Sequence, residues 1–348
     1  MKNNRSVVYA ILAALLFGIN APFSKLLLEE IEPLFLAALL YLGAGIGMTI
    51  LTVLNKKRRL ASKEARLTKK ELPWVILMIL LDIAAPIFLL LGISLTNSST
   101  AALLGNFEIA ATAVIAMIFF KEAIGRRMWI AIAFISLASI LLTITDAIAL
   151  NLSLGAVFVM LSCVCWGFEN NCTRNLSIKD PVQVVILKGF GSGLGALLIA
   201  AIWGDLSASL FYIILALCLG FVAYGLSIFF YVKAQRGLGA ARTSAYYAAA
   251  PFMGVLISWL VLKESITFSF LAALGIMIIG TWLALSEDHE HAHTHHEECH
   301  DHSHNHDDAH HLHQDHPPIC GEHCHEHTHK NTVHSHCHLP DVHHRHIH

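Results

Sequence analysis

Phe119-Phe120-Lys121-Glu122-Ala123-Ile124 is matched 142 residues later by Val261-Leu262-Lys263-Glu264-Ser265-Ile266, and Phe17-Gly18-Ile19-Asn20 lines up with Trp166-Gly167-Phe168-Glu169 at an offset of 149. Two matches at nearly equal spacing divide the apolar body into two copies of one unit, residues 1–146 and 147–286. A bilayer crossing needs about 20 mostly apolar residues. The chain offers ten such windows, 7–28, 33–54, 72–93, 98–120, 126–146, 153–171, 181–203, 209–232, 240–262 and 266–286. They do not alternate apolar and polar residues as barrel strands do, and lipid tolerates no unsatisfied backbone, so they read as helices. Five windows per copy is an odd number, so the second copy enters the membrane from the opposite face. The expected fold is an all-α integral membrane protein of ten transmembrane helices in two inverted five-helix repeats, followed by a disordered His-rich tail at 287–348.

Composition points the same way. The 348 residues are 55% apolar and 14% charged, and the mean hydropathy is +0.60. Soluble domains carry about 25% charge. The near-neutral total of −2 hides a body with 21 basic and 13 acidic residues and a tail with 2 and 12. Basic residues gather in alternate loops: Lys56-Lys57-Arg58-Arg59 with Lys63, Arg66, Lys69 and Lys70, then Lys121, Arg126 and Arg127, then Arg174 and Lys179, then Lys233, Arg236 and Arg242. The intervening loops hold Glu29, Glu30, Glu32, Asp146 and Asp205, with Lys263 as the exception. The positive-inside rule then places both termini, and the tail, in the cytoplasm of a multi-pass inner-membrane protein. The first window has Asn20, Pro22 and Lys25 in it and no small-residue cleavage site, so it reads as a span rather than a removed signal. Four cysteines lie in the body and four among histidines, which is no disulfide framework. The basic loop after the second window reads as a topology determinant facing anionic lipid, not as a nucleic-acid site. No phosphate loop, dinucleotide fingerprint or catalytic triad is present, so the protein reads as no enzyme, and its body requires no cofactor.

The second half also carries Gly237-Leu238-Gly239-Ala240-Ala241-Arg242, leading into Ala250-Pro251-Phe252-Met253 and ending in Lys263-Glu264. Its counterpart is Ser98-Ser99-Thr100-Ala101-Ala102, leading into Phe107-Glu108-Ile109-Ala110 and ending in Lys121-Glu122; Phe17-Gly18 and Trp166-Gly167 open the two units. In these motifs the chain resembles the ten-span drug/metabolite transporter superfamily, specifically the EamA-type exporters built from two five-helix repeats. The likeness covers about residues 7–286, and Ile109 stands where the family usually has proline. The resemblance implies a proton- or gradient-linked carrier, generally an exporter, of small organic solutes such as amino acids, metabolites or drugs. A fold alone does not fix the solute.

Ionisable side chains at membrane depth are costly and by default mark a pathway or relay. Asp82 and Glu108 fall near the middle of their windows and are the leading candidates. Their repeat mates are Tyr224 and Ala250, so the first half looks specialised. Burial disfavours an ionised carboxyl, which lets such a group exchange a proton or bind a cationic solute. Asn20, Asn106, Glu169 and Asn170 form a second polar set, Lys188 is a candidate partner for the carboxylates, and Trp166, Tyr246 and Tyr247 are candidates for an aromatic pocket. Lys25 is expected to snorkel to the headgroups. Glycines at four-residue spacing, among them Gly43 and Gly47 or Gly189 and Gly193, permit close helix packing.

All 24 histidines lie beyond residue 288. Imidazole and thiolate suit Zn, Ni, Co or Cu. The candidate ligands are His289, His291, His293, His295, His296 and Cys299, then Cys320, His323, Cys324, His325, His327 and His329, then His334, His336, Cys337 and His338. The segment has no means of building a core. Irregular spacing favours several adaptable divalent-metal sites over one rigid site. The leading reading is a secondary transporter of a small organic solute, coupled to a proton or other ion, with the tail binding metal for regulation. The alternative is efflux of a transition metal or metal chelate collected by the tail. The sequence leaves monomer and homodimer both open.

Overall fold

A computed structural model of the chain describes residues 2–54, 67–120, 125–146, 151–176, 179–264, 266–285, 290–295, 298–304, 323–329 and 332–337. The Lys121–Glu122 copy of the repeated motif lies outside them. The body is helical: α1 Lys2–Gly18, α2 Asn20–Leu27, α3 Pro33–Leu54, α4 Leu72–Leu95, α5 Ser98–Leu104, α6 Phe107–Phe120 and α7 Arg126–Thr143. The second half continues with α8 Leu154–Leu176, α9 Pro181–Trp203, α10 Leu210–Gly220, a π-helical segment Phe221–Leu226, α11 Ser227–Tyr247, α12 Ala249–Leu262 and α13 Phe268–Leu285. Short strands β1 Ile144–Asp146 and β2 Asn151–Leu152 join the halves.

Helical backbone occupies every apolar window, and among the described residues six helices are long and apolar enough to cross a membrane by themselves. Large apolar side chains such as Leu54, Trp203 and Phe268 stay exposed on the outside, where acyl chains would cover them. Carboxylates start three of the helices. Glu32 accepts from the amides of Leu34 and Phe35 at 2.8 and 3.1 Å, Asp180 accepts from Val182 at 2.9 Å, and Thr68 with Glu71 forms a reciprocal capping box before α4. An anion satisfies the free N–H groups and the dipole there together.

Assigned helix runs through α11, yet the rings of Tyr231 and Tyr247 are 4.9 Å apart. Sixteen residues of straight helix span roughly 24 Å. The chain therefore doubles back between these tyrosines, which separates the eighth window from the ninth.

The closest helix pairs each join one half to the other: α4 with α8, α9 with α3, α1 with α11, and α13 with α7. The first and third are the same pairing with the halves exchanged. Where α3 crosses α9, glycine is required on both sides. A Cβ on Gly189 would run into the Gly45 nitrogen, and one on Gly45 would lie 3.1 Å from the Phe190 nitrogen. The backbones touch, and Lys188 is carried to the middle of the first half.

Regularity fails at matching places. Pro86 sits inside α4 and leaves the Asp82 carbonyl without its usual helical N–H, while the π segment includes Tyr224, 142 positions after Asp82. The breaks at Asn106 and Ala248 are also 142 apart. α12 ends at Lys263, whose φ of 52° and ψ of 35° are left-handed, at a cost of about 1–2 kcal/mol for a residue with a Cβ.

In the tail, β3 Glu290–His295 pairs antiparallel with β6 Thr332–Cys337, and β4 Glu298–His304 with β5 His323–His329. These are two separate two-stranded ladders, an arrangement with little stability of its own in water. His289, His296, Cys320 and His338 lie outside the described residues.

Candidate functional site

Four helices converge on one buried ammonium. Asp82 on α4 is 0% exposed, and its Oδ1 accepts from the Tyr41 hydroxyl of α3 at 2.8 Å. Its Oδ2 faces Lys188 Nζ of α9 at 3.1 Å, within ion-pair range but without hydrogen-bond alignment. The same ammonium donates to Glu169 Oε1 of α8 at 2.9 Å, and the Thr173 hydroxyl, one turn along α8, donates to that oxygen as well. Two carboxylates thus flank one cation, an arrangement that Coulomb attraction sustains only when desolvated groups keep good geometry.

α8 presents two faces here. Glu169 reaches Lys188, whereas Asn170 turns to the other side and donates to Glu108 Oε1 of α6 at 2.6 Å and to the Thr112 hydroxyl at 3.4 Å. A close approach makes this possible, because a Cβ on Gly167 would lie 3.0 Å from the Thr112 nitrogen. Consecutive residues of one helix therefore bridge Asp82 and Glu108, which are not in direct contact. An aromatic layer adjoins the ion pairs. Asn20 donates to the Tyr224 hydroxyl at 3.1 Å, the Tyr224 ring lies 5.0 Å from Tyr41, and Phe17 contacts Trp166, Tyr224 and Tyr247 at 6.0, 5.8 and 5.7 Å between centroids.

The EamA-like transporter family model matches residues 4–144 and again 153–286, which together make up most of the chain. The chain belongs to the EamA-like transporter family. An uncharacterized transporter of Methanothermobacter thermautotrophicus is 26% identical over 289 residues, covering 78% of this chain and 84% of the relative. One solved crystal structure superposes with a TM-score of 0.61 over 80% of this chain and 95% of its own length, at 14% identity, a likeness of fold alone. The protein is a multi-pass membrane protein of a transporter family.

Within this EamA-like chain the candidates from the sequence fall into three groups. Asp82, Glu169 and Lys188 form one cluster, Glu108 and Asn170 a second, and Asn20, Trp166 and Tyr247 the adjoining layer. Asn106 stands apart at the break between α5 and α6, buried, with neither side-chain amide atom hydrogen-bonded among the described residues. Tyr246 is 39% exposed on the outer surface, away from that layer. Lys25 donates to the carbonyls of Ile93, Ser94 and Thr96 at 2.6, 3.3 and 2.8 Å, partners that the sequence did not name. Those oxygens end α4 and lack helical partners, so a cation is favoured there. The Cys163 thiol donates to the Leu104 and Gly105 carbonyls at the α5–α6 break. Among the described residues no three of His, Cys, Asp and Glu gather in a metal-holding group.

Sequence reasoning missed Tyr41, Thr112 and Thr173. A lone tyrosine hydroxyl midway along the leucine-rich α3 was a usable signal, since a buried phenol needs a partner. The two threonines carried none: Thr173 bonds within its own helix, which is ordinary, and nothing around Thr112 announces that Asn170 of α8 reaches it.

Proposed function

We propose that this protein is a ten-span secondary carrier of the cytoplasmic membrane that exports a small organic solute against a proton or other ion gradient. The supporting observation is the Asp82–Lys188–Glu169 cluster, drawn from both halves of the bundle and buried at its centre. With Glu108 held next to this cluster by Asn170, three carboxylates share the interior with one ammonium, so the fully ionised interior carries an excess of negative charge. A low-dielectric interior relieves that excess by taking up a proton or a cationic group. Asp82 and Glu108 are the relay groups in this reading, Lys188 holds the first in place, and Asn170 holds the second. The aromatic layer around Phe17 supplies the apolar contact for the solute.

The tail serves as a cytoplasmic binder of Zn, Ni, Co or Cu that regulates the core. Its backbone register supports this role. His291 stands opposite His336 and His293 opposite His334, while His300, His302 and His304 stand opposite His327, His325 and His323. Metal bound across such a ladder would add the stability that two strands lack.

The decisive experiment uses the full chain in proteoliposomes under an imposed pH gradient, offered radiolabelled amino acids, polyamines and Zn²⁺ in separate assays. Gradient-driven movement of an organic solute that is lost in Asp82→Asn and Glu108→Gln bears the reading out. Zn²⁺ movement without any organic solute would make metal the cargo. Transport that survives both substitutions unchanged would remove the relay.

A further inference from the structure

On the membrane face formed by the turns at 28–32, 96–97 and 204–209 and by residues 263–264, the second half of the chain clasps the first. Lys263 ends α12 in the left-handed conformation and turns the next residue, Glu264, across the interface. Glu264 Oε1 accepts from the Ser98 amide at 2.8 Å, and Oε2 accepts from the Ser99 amide at 2.9 Å and from the Ser99 hydroxyl. One turn before the end of α12, the Ser258 hydroxyl meets that of Ser98, and both side chains are fully buried. Lys25 holds the other side of the same turn through the carbonyls that end α4. A single turn, Thr96-Asn97, is therefore gripped by a cation at its helix C-terminus and by an anion at the next helix N-terminus, the signs the two dipoles call for.

We propose that Glu264, with Ser98, Ser99 and Ser258, is a latch that holds this mouth of the bundle shut, and that its release is the opening step on this side. Three features separate it from a passive helix cap. The carboxylate comes from the opposite half of the chain, 165 and 166 positions away from the groups it binds. The backbone at Lys263 is held where a side chain is disfavoured, so letting go of Glu264 relaxes α12 while it frees α5. Beneath α5 lies the discontinuity at Asn106, whose side-chain amide has no hydrogen-bond partner among the described residues, and the Cys163 thiol lies against the Leu104 and Gly105 carbonyls, so movement of α5 disturbs the contacts of that thiol. Among the described residues Glu264 hydrogen-bonds only to amides and a hydroxyl, and such a carboxylate is released more easily than one locked in a bidentate ion pair.

The test does not depend on knowing the solute. N-ethylmaleimide labelling of the full-length protein in native membranes, read cysteine by cysteine through peptide mass spectrometry, follows buried Cys163, with the extent of labelling in the same protein unfolded in detergent as the reference. Glu264→Gln is expected to raise the Cys163 rate about tenfold over the parent protein, since the labelling rate of a thiol reached only in the open state scales with the open population. The pair Ser98→Cys and Ser258→Cys, oxidised to a disulfide, is expected to bring Cys163 labelling below wild type, and dithiothreitol is expected to restore it. The cross-linked pair decides the matter should Glu264→Gln fold poorly. An unchanged Cys163 rate in the cross-linked protein overturns the latch. It would leave the carrier reading intact, because that reading is measured by solute flux.

Discussion

Lys188 is the side chain whose removal costs most. Without it Asp82 and Glu169 face one another in a water-poor interior, and breaking a buried pair by deleting one partner costs about 3–5 kcal/mol. Lys188→Met should therefore lower thermal stability in detergent sharply, as followed by intrinsic fluorescence. In the double variant with Asp82→Asn the loss should be smaller than the sum of the two, with a coupling of about 0.5–3 kcal/mol. Tyr41→Phe removes a hydrogen bond to a charged group, worth about 1.5–3 kcal/mol. The same change made on the Asp82→Asn background should cost visibly less, and an equal cost on both backgrounds would dissociate Tyr41 from the carboxylate. The acids were legible from sequence because charge in an apolar window is conspicuous. Tyr41 offered a weaker signal, a lone phenol in an apolar window, but not its partner, because a separation of 41 positions from Asp82 hides their contact. The partners of Lys25 were hidden for the related reason that three carbonyls waiting at the end of another helix leave no trace in the sequence around it.

At the scale of elements, the crossing of α3 with α9 makes a sharp pair of expectations. Gly189→Ala puts a methyl into the Gly45 backbone, and overpacking of this kind costs about 1–3 kcal/mol. Gly275, inside α13, leaves open space within 4 Å of where an added methyl would sit, so Gly275→Ala should be neutral or gain roughly 0.5–1 kcal/mol of helix propensity. Thermal melts of the two variants beside the parent protein check both, and equal melts would deny that the backbones meet. The helices themselves were readable because window length and apolar content are local properties. The π segment and the break at Asn106 were not, since a wound-out turn in a continuous apolar run is decided by what lies across from it. The reversal within α11 was legible, because the sequence closes the eighth window at 232 and opens the ninth at 240, and the rings of Tyr231 and Tyr247 lie side by side across that gap.

For the whole molecule, the expectation is a division of labour between a greasy body and a histidine-rich appendage. A chain stopped after Ser286 should insert, fold and move solute at close to the full-length rate in metal-free buffer. It should also lose the multi-site Zn²⁺ uptake that the complete chain is expected to show by isothermal titration near neutral pH, and that uptake should fade as the solution is acidified and imidazoles take up protons. At this scale the Lys-Glu motif and its mate suggested a repeat, and in the bundle α4 pairs with α8 as α1 pairs with α11. The intimacy of that pairing was not legible, because it depends on which small residues coincide between segments more than a hundred positions apart. Where Gly45 meets Gly189, main chain rests on main chain with no side chain between them. With Leu42 packed on Gly193 and the Phe190 ring beside Gly45, this closest approach of the two backbones is the expected fulcrum of the bundle. Lys188, beside the axle, would then stay nearly still while the two ends of the protein swing.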